Sequence, residues 1–424
     1  MPAARQEIIS TVVDPKAHAD PQRLHGAFAW LRRNDPLALA EVPGFDPFRL
    51  VTRHADILEV SRDNTLFPYG DYPSTLAPHE AVERGREARA AGRPLLYTLV
   101  QMDEPDHLKY RALTQAWFMP QNIRKLEDRI RELAREAVAR MEALGGECDF
   151  VEEVALHFPL HVIMQILGVP REDEPRMLKL TQELFGATDP DLRREGSEMT
   201  PEARQVDIQA TLTDFFNYFN ALTEDRRARP RDDVASTIAN ATIDGRPISA
   251  FDAVSYYLIV ATAGHDTTSS STAGAMWALA ERPGEFAKLR DNLGLIPGLV
   301  DESIRWTTPV RHFMRSAAAD TELGGQAIAK GEWLMLCYPS GNRDEAVFEA
   351  PMEFRVDRSP NRHLAFGYGA HLCLGQHLAK MEMRILWEEL APRLKSVELA
   401  GEARLSEANF VNGPKTLAIR YALS

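Results

Sequence analysis

The sequence predicts a mainly α-helical protein with a minor β region. Apolar residues recur at helical spacing in several stretches, for example over 123–141, 208–222 and 374–385. Strand-like patterns are short and few, and the clearest are 50–52 and 310–315. No composition break, internal repeat or low-complexity tract divides the 424 residues. We therefore expect one domain over 1–424.

The composition excludes several classes of function. The chain carries 49 basic and 62 acidic residues, a formal net charge of −13, which argues against nucleic-acid binding as its main task. No apolar run approaches the roughly 18 residues of a membrane span, and residues 1–24 lack the apolar core of a secretory signal. Three cysteines make no disulfide framework. The sequence thus predicts a cytoplasmic protein that does not bind membranes.

The first third of the chain contains one long stretch without periodicity. A strand near 50–52 and a helix through Ile57 and Leu58 come first, and residues 66–100 then carry scattered Pro and Gly. A segment of that length without regular structure is often a functional lid. A helix follows on which His107 and Arg111, four residues apart, share one face. Further helices are predicted over 120–140, 154–167 and 177–184.

A long apolar helix that begins near Phe251 contains the polar stretch 263–268. Gly264 has no side chain, and the Thr267 hydroxyl can reach the carbonyl of Ala263 four residues earlier, which would open a local bulge for a ligand or water. Asp266 lies beside Thr267, and an acid next to an alcohol can pass protons inward. Taken alone, the stretch is more typical of a Ser/Thr-rich buried helix.

The glycine-rich stretch 366–375 places Cys373 immediately before a helix predicted to begin near Leu374. A cysteine at the positive end of a helix dipole ionises more readily. Gly367, Gly369 and Gly375 allow positive φ and let the backbone approach a flat group closely. Three interpretations stay open: a buried thiol, a zinc site with His371, His377 and His363, and an axial thiolate to haem iron.

The pattern Phe366-x-x-Gly369-x-x-x-Cys373-x-Gly375 resembles the signature of the cytochrome P450 monooxygenases. Residues 263–267 are similar to the proton-delivery motif of that family, and 103–111 to a segment that contacts a haem propionate, although Glu104 replaces a proline there. The resemblance implies the cytochrome P450 fold, with haem b (iron protoporphyrin IX) between the long helix and the Cys373 loop.

The resemblance also implies a role for particular residues. Cys373 would be the axial iron ligand, and Asp266 and Thr267 would deliver protons. Three further sets follow: haem contacts His107, Arg111, Arg315, His363, Phe366, Gly367 and Gly375; substrate-pocket residues Ala263, Gly264, Val310 and Phe313; and a structural ion-pair group, Glu302, Arg305 and Arg358.

The implied activity is hydroxylation of a small apolar substrate with O2. Residues 254–418 are most similar to family members that oxidise monoterpenoids such as terpineol or alkyl-aromatics such as p-cymene. The alternatives are larger aromatic hydrocarbons, steroid-like substrates, or a haem-thiolate sensor or binding protein.

Electrons must come from separate proteins because no GxGxxG fingerprint or flavin domain is evident. By the same resemblance these are a [2Fe-2S] ferredoxin and a flavin NAD(P)H reductase. A basic site drawn from Lys109, Arg124, Lys125 and Arg362 would receive the ferredoxin.

Overall fold

The computed structural model describes residues 2–424 except positions 71, 93, 197 and 199. Helices dominate the described chain, as the sequence predicts. The α-helices are α1 (Pro2–Val13), α2 (Pro21–Asn34), α3 (His54–Arg62), α4 (His79–Ala90), α5 (Asp106–Gln115), α6 (Pro120–Ile123), α7 (Glu127–Ala143), α8 (His157–Leu167), α9 (Glu174–Phe185), α10 (Pro201–Ala228), α11 (Val234–Ala239), α12 (Ala250–Glu281), α13 (Pro283–Asp291), α14 (Ile296–Thr307), α15 (Tyr338–Gly341) and α16 (Gln376–Leu390).

The β structure forms small sheets at the edges of the helical body. Its strands are β1 (Leu39–Ala40), β2 (Phe48–Val51), β3 (Glu147–Asp149), β4 (Thr242–Ile243), β5 (Arg246–Pro247), β6 (His312–Ser316), β7 (Thr321–Leu323), β8 (Gln326–Ile328), β9 (Trp333–Cys337), β10 (Leu394–Leu399), β11 (Arg404–Leu405), β12 (Pro414–Thr416) and β13 (Ala418–Leu423). A four-stranded sheet has the order β1-β2-β9-β6, in which β2 and β9 are parallel, with Phe48 opposite Trp333. A three-stranded sheet has the order β10-β13-β3.

Helix α12 is the central element. It runs for 32 residues, and the Ser249 hydroxyl caps its start by accepting a hydrogen bond from the Asp252 N–H. It packs against α8, α10 and α14, and twenty of its residues are buried, spread around the helix. A helix that is apolar on most sides belongs in a protein core. This position fixes the stretch 263–268 in the interior.

Several predicted boundaries shift. The stripe over 120–140 is interrupted by a 3-10 turn, Arg124–Leu126, between α6 and α7. The predicted helix over 154–167 begins as a π-helical turn, Val151–Ala155, before α8. Strand β6 begins at His312, and Val310 makes only an isolated bridge with Val411. These differences leave the order of elements unchanged.

The prediction of an unstructured lid over 66–100 is wrong for residues 79–90, which form helix α4. Only Val82 of α4 is buried, so the helix has no apolar stripe that the sequence could reveal. Its stability comes from good helix formers and from ion pairs along the axis, Glu80 with Arg84 and Glu83 with Arg86. Positions 71 and 93 of this segment lie outside the described residues.

The structure brings Glu302, Arg305 and Arg358 together. Both carboxylate oxygens of Glu302 accept from Arg305 at 2.8 Å, and Arg358 Nε lies 3.0 Å and 3.1 Å from the same oxygens. All three side chains are buried. Arg305 and Arg358 also donate to backbone carbonyls between 342 and 353, so the group ties α14 to the loop that precedes the Cys373 segment.

Within the described chain, no helix combines the length and apolar character that crossing a bilayer requires.

Candidate active site

A large internal cavity lies between α12 and the loop that carries Cys373. It encloses about 1480 Å³, counted to its open mouth. Ala263, Gly264 and Thr267 line it from α12, and Cys373 and Phe366 line it from the loop. The two stretches that the sequence singled out, about a hundred residues apart, therefore face each other across one space. Val310, Phe313, Gly367 and Gly375 also line this cavity.

The conformation of the Cys373 loop depends on glycine at two positions. Gly367 has φ +68 and Gly369 has φ +71, in the left-handed region that favours glycine. A Cβ on Gly369 would lie 2.1 Å from the Ser61 carbonyl oxygen, so this position admits no side chain. The Cys373 N–H donates to the Phe366 carbonyl at 2.9 Å and closes the loop. The loop thus holds the sulfur at a fixed place in the cavity wall.

Gly375 fits only one of the two reasons for which a glycine was predicted there. Its φ is −86, so it does not supply a positive φ. An added Cβ would meet no atom within 4 Å, and the residue lines the cavity. The missing side chain leaves space on the cavity side, which a flat group can occupy.

The prediction that Cys373 ionises readily is wrong for the free thiol. Helix α16 begins at Gln376 rather than near Leu374. Burial within the cavity wall raises the pKa of the Cys373 thiol, and the N–H groups of Gly375 and Gln376 and the charge of Arg111 oppose that rise without cancelling it. A cation at the sulfur would supply the missing counter-charge and hold the thiolate.

The zinc interpretation of Cys373 finds no support in the geometry. Among the residues that the structure describes, the one group of three or more potential ligands that converge is Asp46, His79 and Glu83, elsewhere in the chain. Cys373, His371, His377 and His363 do not converge. His371 instead lies against His107, with ring centroids 4.1 Å apart.

A cluster of basic side chains, two arginines and two histidines, occupies one side of the cavity. His107, Arg111, Arg315 and His371 all line it. Arg111 donates to the Leu372 carbonyl at 2.8 Å, and the Arg315 guanidinium lies 3.9 Å from the centroid of the Tyr69 ring. These groups share no carboxylate inside the cavity. The cluster therefore forms a buried site for an anion.

His107 provides the sharpest sign of an absent polar partner. Its side chain is 2 % exposed, and neither ring nitrogen has a hydrogen-bond partner. Glu104 lies 3.6 Å from Nδ1, beyond hydrogen-bond distance. Burial, together with the charge of Arg111, lowers the pKa of His107. Buried polar groups are normally satisfied, so this imidazole fits a group that enters the cavity and accepts its hydrogen.

The residues present fit haem. The orphaned His107 nitrogens and the guanidinium groups of Arg111 and Arg315 suit two propionates, the open side of Gly375 suits a flat ring, and the Cys373 sulfur faces the same cavity.

On the opposite wall, the Thr267 hydroxyl donates to the Ala263 carbonyl at 2.9 Å, as its spacing predicts. Helix α12 is nevertheless continuous over Ala250–Glu281, so the predicted bulge does not appear as a break in the helix. A Cβ on Gly264 would lie 2.6 Å from Ile163 Cγ1. Gly264 therefore allows α8 to pack closely on α12 as well as lining the cavity.

Asp266 is turned away from this cavity. It lines a second, smaller cavity with Ser269, Ser270 and Gln182. Asp266 Oδ1 lies 3.3 Å from Nδ1 of His265, and Oδ2 is buried without a partner. The structure thus separates the predicted acid and alcohol onto two sides of α12.

His363 is the predicted haem contact that the structure does not bring to the cavity. Its ring packs beside Phe366, and Nε2 lies 3.8 Å from Asp301 Oδ1. The residue that does line the cavity near His107 is His371, which the sequence suggested only as a zinc ligand. Burial, strengthened by the charge of Arg315, lowers the pKa of His371 to about 2.

Sequence reasoning also missed Tyr338 and Glu382, which both line the cavity. Glu382 is the only acidic residue among the described residues that line the cavity, and burial raises its pKa well above the ordinary value. A signal for Glu382 existed, because it interrupts the apolar face formed by Leu378, Met381 and Ile385 on α16.

Comparisons with known proteins identify the family of this chain. The family model described as "Cytochrome P450" matches residues 77–395. Cytochrome P450-terp of a Pseudomonas species is 47% identical over 418 residues, which cover 98% of this chain and 97% of that protein. Linalool 8-monooxygenase of Pseudomonas putida is 34% identical over 93% of this chain and 95% of its own.

A solved structure shows the same fold. CYP108D1 from Novosphingobium aromaticivorans superposes with a TM-score of 0.88 at 45% identity, covering 99% of this chain and 98% of that one. These similarities, together with the Cys373 loop, the basic cluster and α12 arranged around one cavity, show that the chain belongs to the cytochrome P450 family and is a haem-thiolate monooxygenase.

Proposed function

We propose that this monooxygenase hydroxylates a compact apolar molecule, either a monoterpenoid such as terpineol or an alkyl-aromatic such as p-cymene. The observation that carries the proposal is the apolar share of the cavity lining. Away from the basic cluster and Glu382, the lining is mainly aliphatic and aromatic and includes Leu99, Val100, Phe118, Ile163, Ile259, Val260, Val310 and Phe313, with the hydroxyl groups of Thr267, Thr268 and Ser271 on α12. Such a lining binds apolar molecules because their burial removes apolar surface from water, and it offers few hydrogen bonds to a polar substrate.

The names of similar proteins point to the same substrate class. One relative is a linalool 8-monooxygenase, and a Mycobacterium marinum structure at 31% identity and a TM-score of 0.85 contains pseudoionone. Two relatives, at 33% and 31% identity, are steroid C26-monooxygenases, so a larger substrate is the alternative outcome of the test below.

Within this reading, haem held by Cys373 supplies the activation of O2 and the transfer of one oxygen atom to a C–H bond. The haem propionates would be held by His107, Arg111, Arg315 and His371. His371 would make the contact that the sequence predicted for His363. Thr267 faces the cavity and would present a hydroxyl proton there. Asp266 would supply that proton from the other side of α12.

The route of electrons is the second part of the proposal, in which a [2Fe-2S] ferredoxin and a flavin NAD(P)H reductase serve this protein. Arg124, Lys125 and Arg362 are exposed, and no ion pair involves them within the described part of the chain. Lys109 differs, because its ammonium lies 2.6 Å from Asp244 and 3.8 Å from Asp106. We therefore retain Arg124, Lys125 and Arg362 as the basic site and leave Lys109 out.

The test of the substrate class is optical. The reduced, CO-treated protein should show the long-wavelength Soret band of thiolate ligation, and small terpenoids and alkylbenzenes should shift the spin state at low concentration. Product analysis with a ferredoxin and its reductase then identifies the hydroxylated carbon. A spin shift and turnover with steroids but not with terpenoids would overturn the compact-substrate proposal and favour the alternative.

A further inference from the structure

Two buried guanidinium groups, those of Arg311 and Arg343, lie together at the C-terminal end of α14. Arg343 Nη2 donates to the Trp306 carbonyl at 2.7 Å, and Arg311 Nη1 donates to the next carbonyl, that of Thr307, at 2.9 Å. The two side chains are 3 % and 6 % exposed. Within the part of the chain that the structure describes, no carboxylate forms an ion pair with either of them. Two positive charges are therefore buried side by side.

Several N–H groups of these two arginines have no partner. Arg343 Nε and Nη1 and Arg311 Nε are buried without a hydrogen bond, whereas Arg311 Nη2 donates to the Asn412 side chain. Burial lowers the pKa of Arg311 to about 10, and burial together with the charges of Arg305 and Arg311 lowers the pKa of Arg343. A guanidinium nevertheless stays charged in a protein. The two groups thus lack both hydrogen-bond acceptors and negative charge.

The acidic groups of the surrounding elements serve other partners. Glu302 is shared between two other arginines of the buried ion-pair group. The carboxylate of Asp344 accepts from two backbone N–H groups at 2.8 Å and 3.0 Å. Glu345 pairs with two arginines of α2. The C-terminus of α14 supplies only roughly half an elementary negative charge against two full positive charges. A negative charge is still missing at this place.

Two histidines from the N-terminal part of the chain complete the surroundings. Burial, followed by the charges of Arg343 and Arg311, lowers the pKa of His25 on α2, so the two guanidinium groups act on the same ring. His25 is only partly buried, and a space of water size therefore reaches it. The second histidine, His18, lies in the 3-10 turn Pro15–Ala19 before α2.

The ring of His18 leaves one nitrogen without a partner. It is 2 % exposed, its Nε2 lies 2.9 Å from the Val12 carbonyl oxygen, and its Nδ1 has no hydrogen bond. Burial and the charge of Arg311 lower the pKa of His18 to about 3, so the ring is neutral and Nδ1 accepts a hydrogen. A water molecule can donate one hydrogen to Nδ1 and the other to an anion.

We propose that Arg311 and Arg343 bind one small monovalent anion of the chloride type, and that a water molecule links this anion to His18. The anion would accept from N–H groups that the protein leaves unpaired and would offset one of two buried positive charges. The site is separate from the cavity beside Cys373, which neither arginine lines. It lies where α14 leads to Pro309 and Val310 of the cavity lining, so the anion would fix that segment.

The direct test uses the unaltered, haem-loaded protein, crystallised with bromide in place of chloride. We expect an anomalous bromide signal within hydrogen-bond distance of Arg311 Nε and of the free N–H groups of Arg343. Water density without an anomalous signal at this place would overturn the proposal. Bromide bound only at exposed side chains would be an adventitious ion only, and would equally count against it.

A second test follows thermal unfolding of the haem-loaded protein after removal of chloride. Chloride is then added in a series in which gluconate keeps the ionic strength constant. The Tm of the wild type should rise by about 2 °C and then level off, because a ligand that binds only the folded state stabilises it. Arg311→Met keeps the length of the side chain without its charge and should abolish the rise. Arg33→Met is the matched control, since Arg33 is 68% exposed, and should keep it.

The same series distinguishes anion binding from a role of Arg311 that is limited to the end of α14. Loss of its hydrogen bond to Thr307 alone would lower Tm by the same amount at every chloride concentration. With an anion site, the variant should be closest to the wild type without chloride, where the wild type buries an uncompensated charge. A constant difference across the series would refute the proposal. If Arg311→Met does not fold, the bromide signal in the unaltered protein decides.

Discussion

Asp266 and Thr267 are adjacent on α12, yet their side chains line different cavities. Consecutive residues of a helix point about 100° apart, so neighbours in sequence can face separate spaces. Thr267 faces the cavity beside Cys373, and Asp266 faces the smaller polar cavity. Proton delivery by this pair would therefore cross the helix.

This separation predicts different defects for the two residues. Thr267→Ala should consume NAD(P)H at nearly the wild-type rate but form less product, because the proton donor inside the substrate cavity is lost. Asp266→Asn should slow the whole cycle, by about a hundredfold, because replacement of the proton is impaired. Parallel assays of NAD(P)H oxidation and product measure both effects. Identical defects in the two variants would contradict the division of roles.

The histidines near Cys373 give a direct test of the haem contacts. His371→Ala should weaken haem retention, because His371 lines the cavity beside His107. His363→Ala should retain haem, because His363 lies toward Asp301. Transfer of haem to an acceptor protein measures both. Faster haem loss from His363→Ala than from His371→Ala would support the prediction from the sequence that His363 contacts haem.

Two glycines of the Cys373 segment should fail in different ways. Gly369→Ala places a Cβ 2.1 Å from the Ser61 carbonyl at a residue with φ +71, and should destabilise the fold by a few kcal/mol, roughly the cost of strained backbone plus a forced shift. Gly375→Ala meets no protein atom within 4 Å and should fold normally but bind haem poorly. Urea unfolding and the haem-to-protein absorbance ratio separate the two outcomes.

The buried ion-pair group at Glu302 should be essential to stability. Glu302→Ala leaves Arg305 and Arg358 buried without their carboxylate, and we expect a loss of about 3–5 kcal/mol in the free energy of unfolding. The matched control is Glu147→Ala, which breaks an exposed pair with Arg420 and should cost no more than about 1 kcal/mol. Equal losses in the two variants would contradict a structural role for Glu302.

The buried carboxyl group of Glu382 should make the free energy of unfolding depend on pH. Burial raises its pKa well above 4.5, so the folded protein keeps a proton that the unfolded chain releases. The free energy of unfolding should therefore fall as pH rises above about 4.5, by up to about 1.4 kcal/mol per pH unit from this group. Glu382→Gln, which is neutral at every pH, should remove that slope in urea titrations. An unchanged slope would mean that Glu382 is ionised in the folded state.

The proposed ferredoxin surface predicts a salt-sensitive defect. Lys125→Glu with Arg362→Glu should slow electron transfer most at low ionic strength, because opposite charges steer the two proteins together. Lys395→Glu is the control, since β10 follows the far end of α16 from the Cys373 loop. Unchanged kinetics of the double variant at low salt would remove this surface from the proposal.

The sequence alone determined the parts of the site that depend on local spacing. The ten-residue Cys373 pattern, the hydrogen bond from Thr267 to Ala263 and the helical face shared by His107 and Arg111 follow from contacts within one loop or one helix turn. Long helices with apolar stripes were predicted for the same reason. Helix α4 was missed because its stability comes from charged residues rather than from an apolar stripe.

Only the tertiary structure decided what depends on distant elements. In the folded chain, Asp266 and Thr267 line different cavities, and His371 rather than His363 lies beside His107. Lys109 forms an ion pair with Asp244. Burial raises the pKa of Cys373. Each outcome depends on desolvation or on a contact between residues far apart in the chain. Such contacts leave no periodicity or spacing for a single sequence to show.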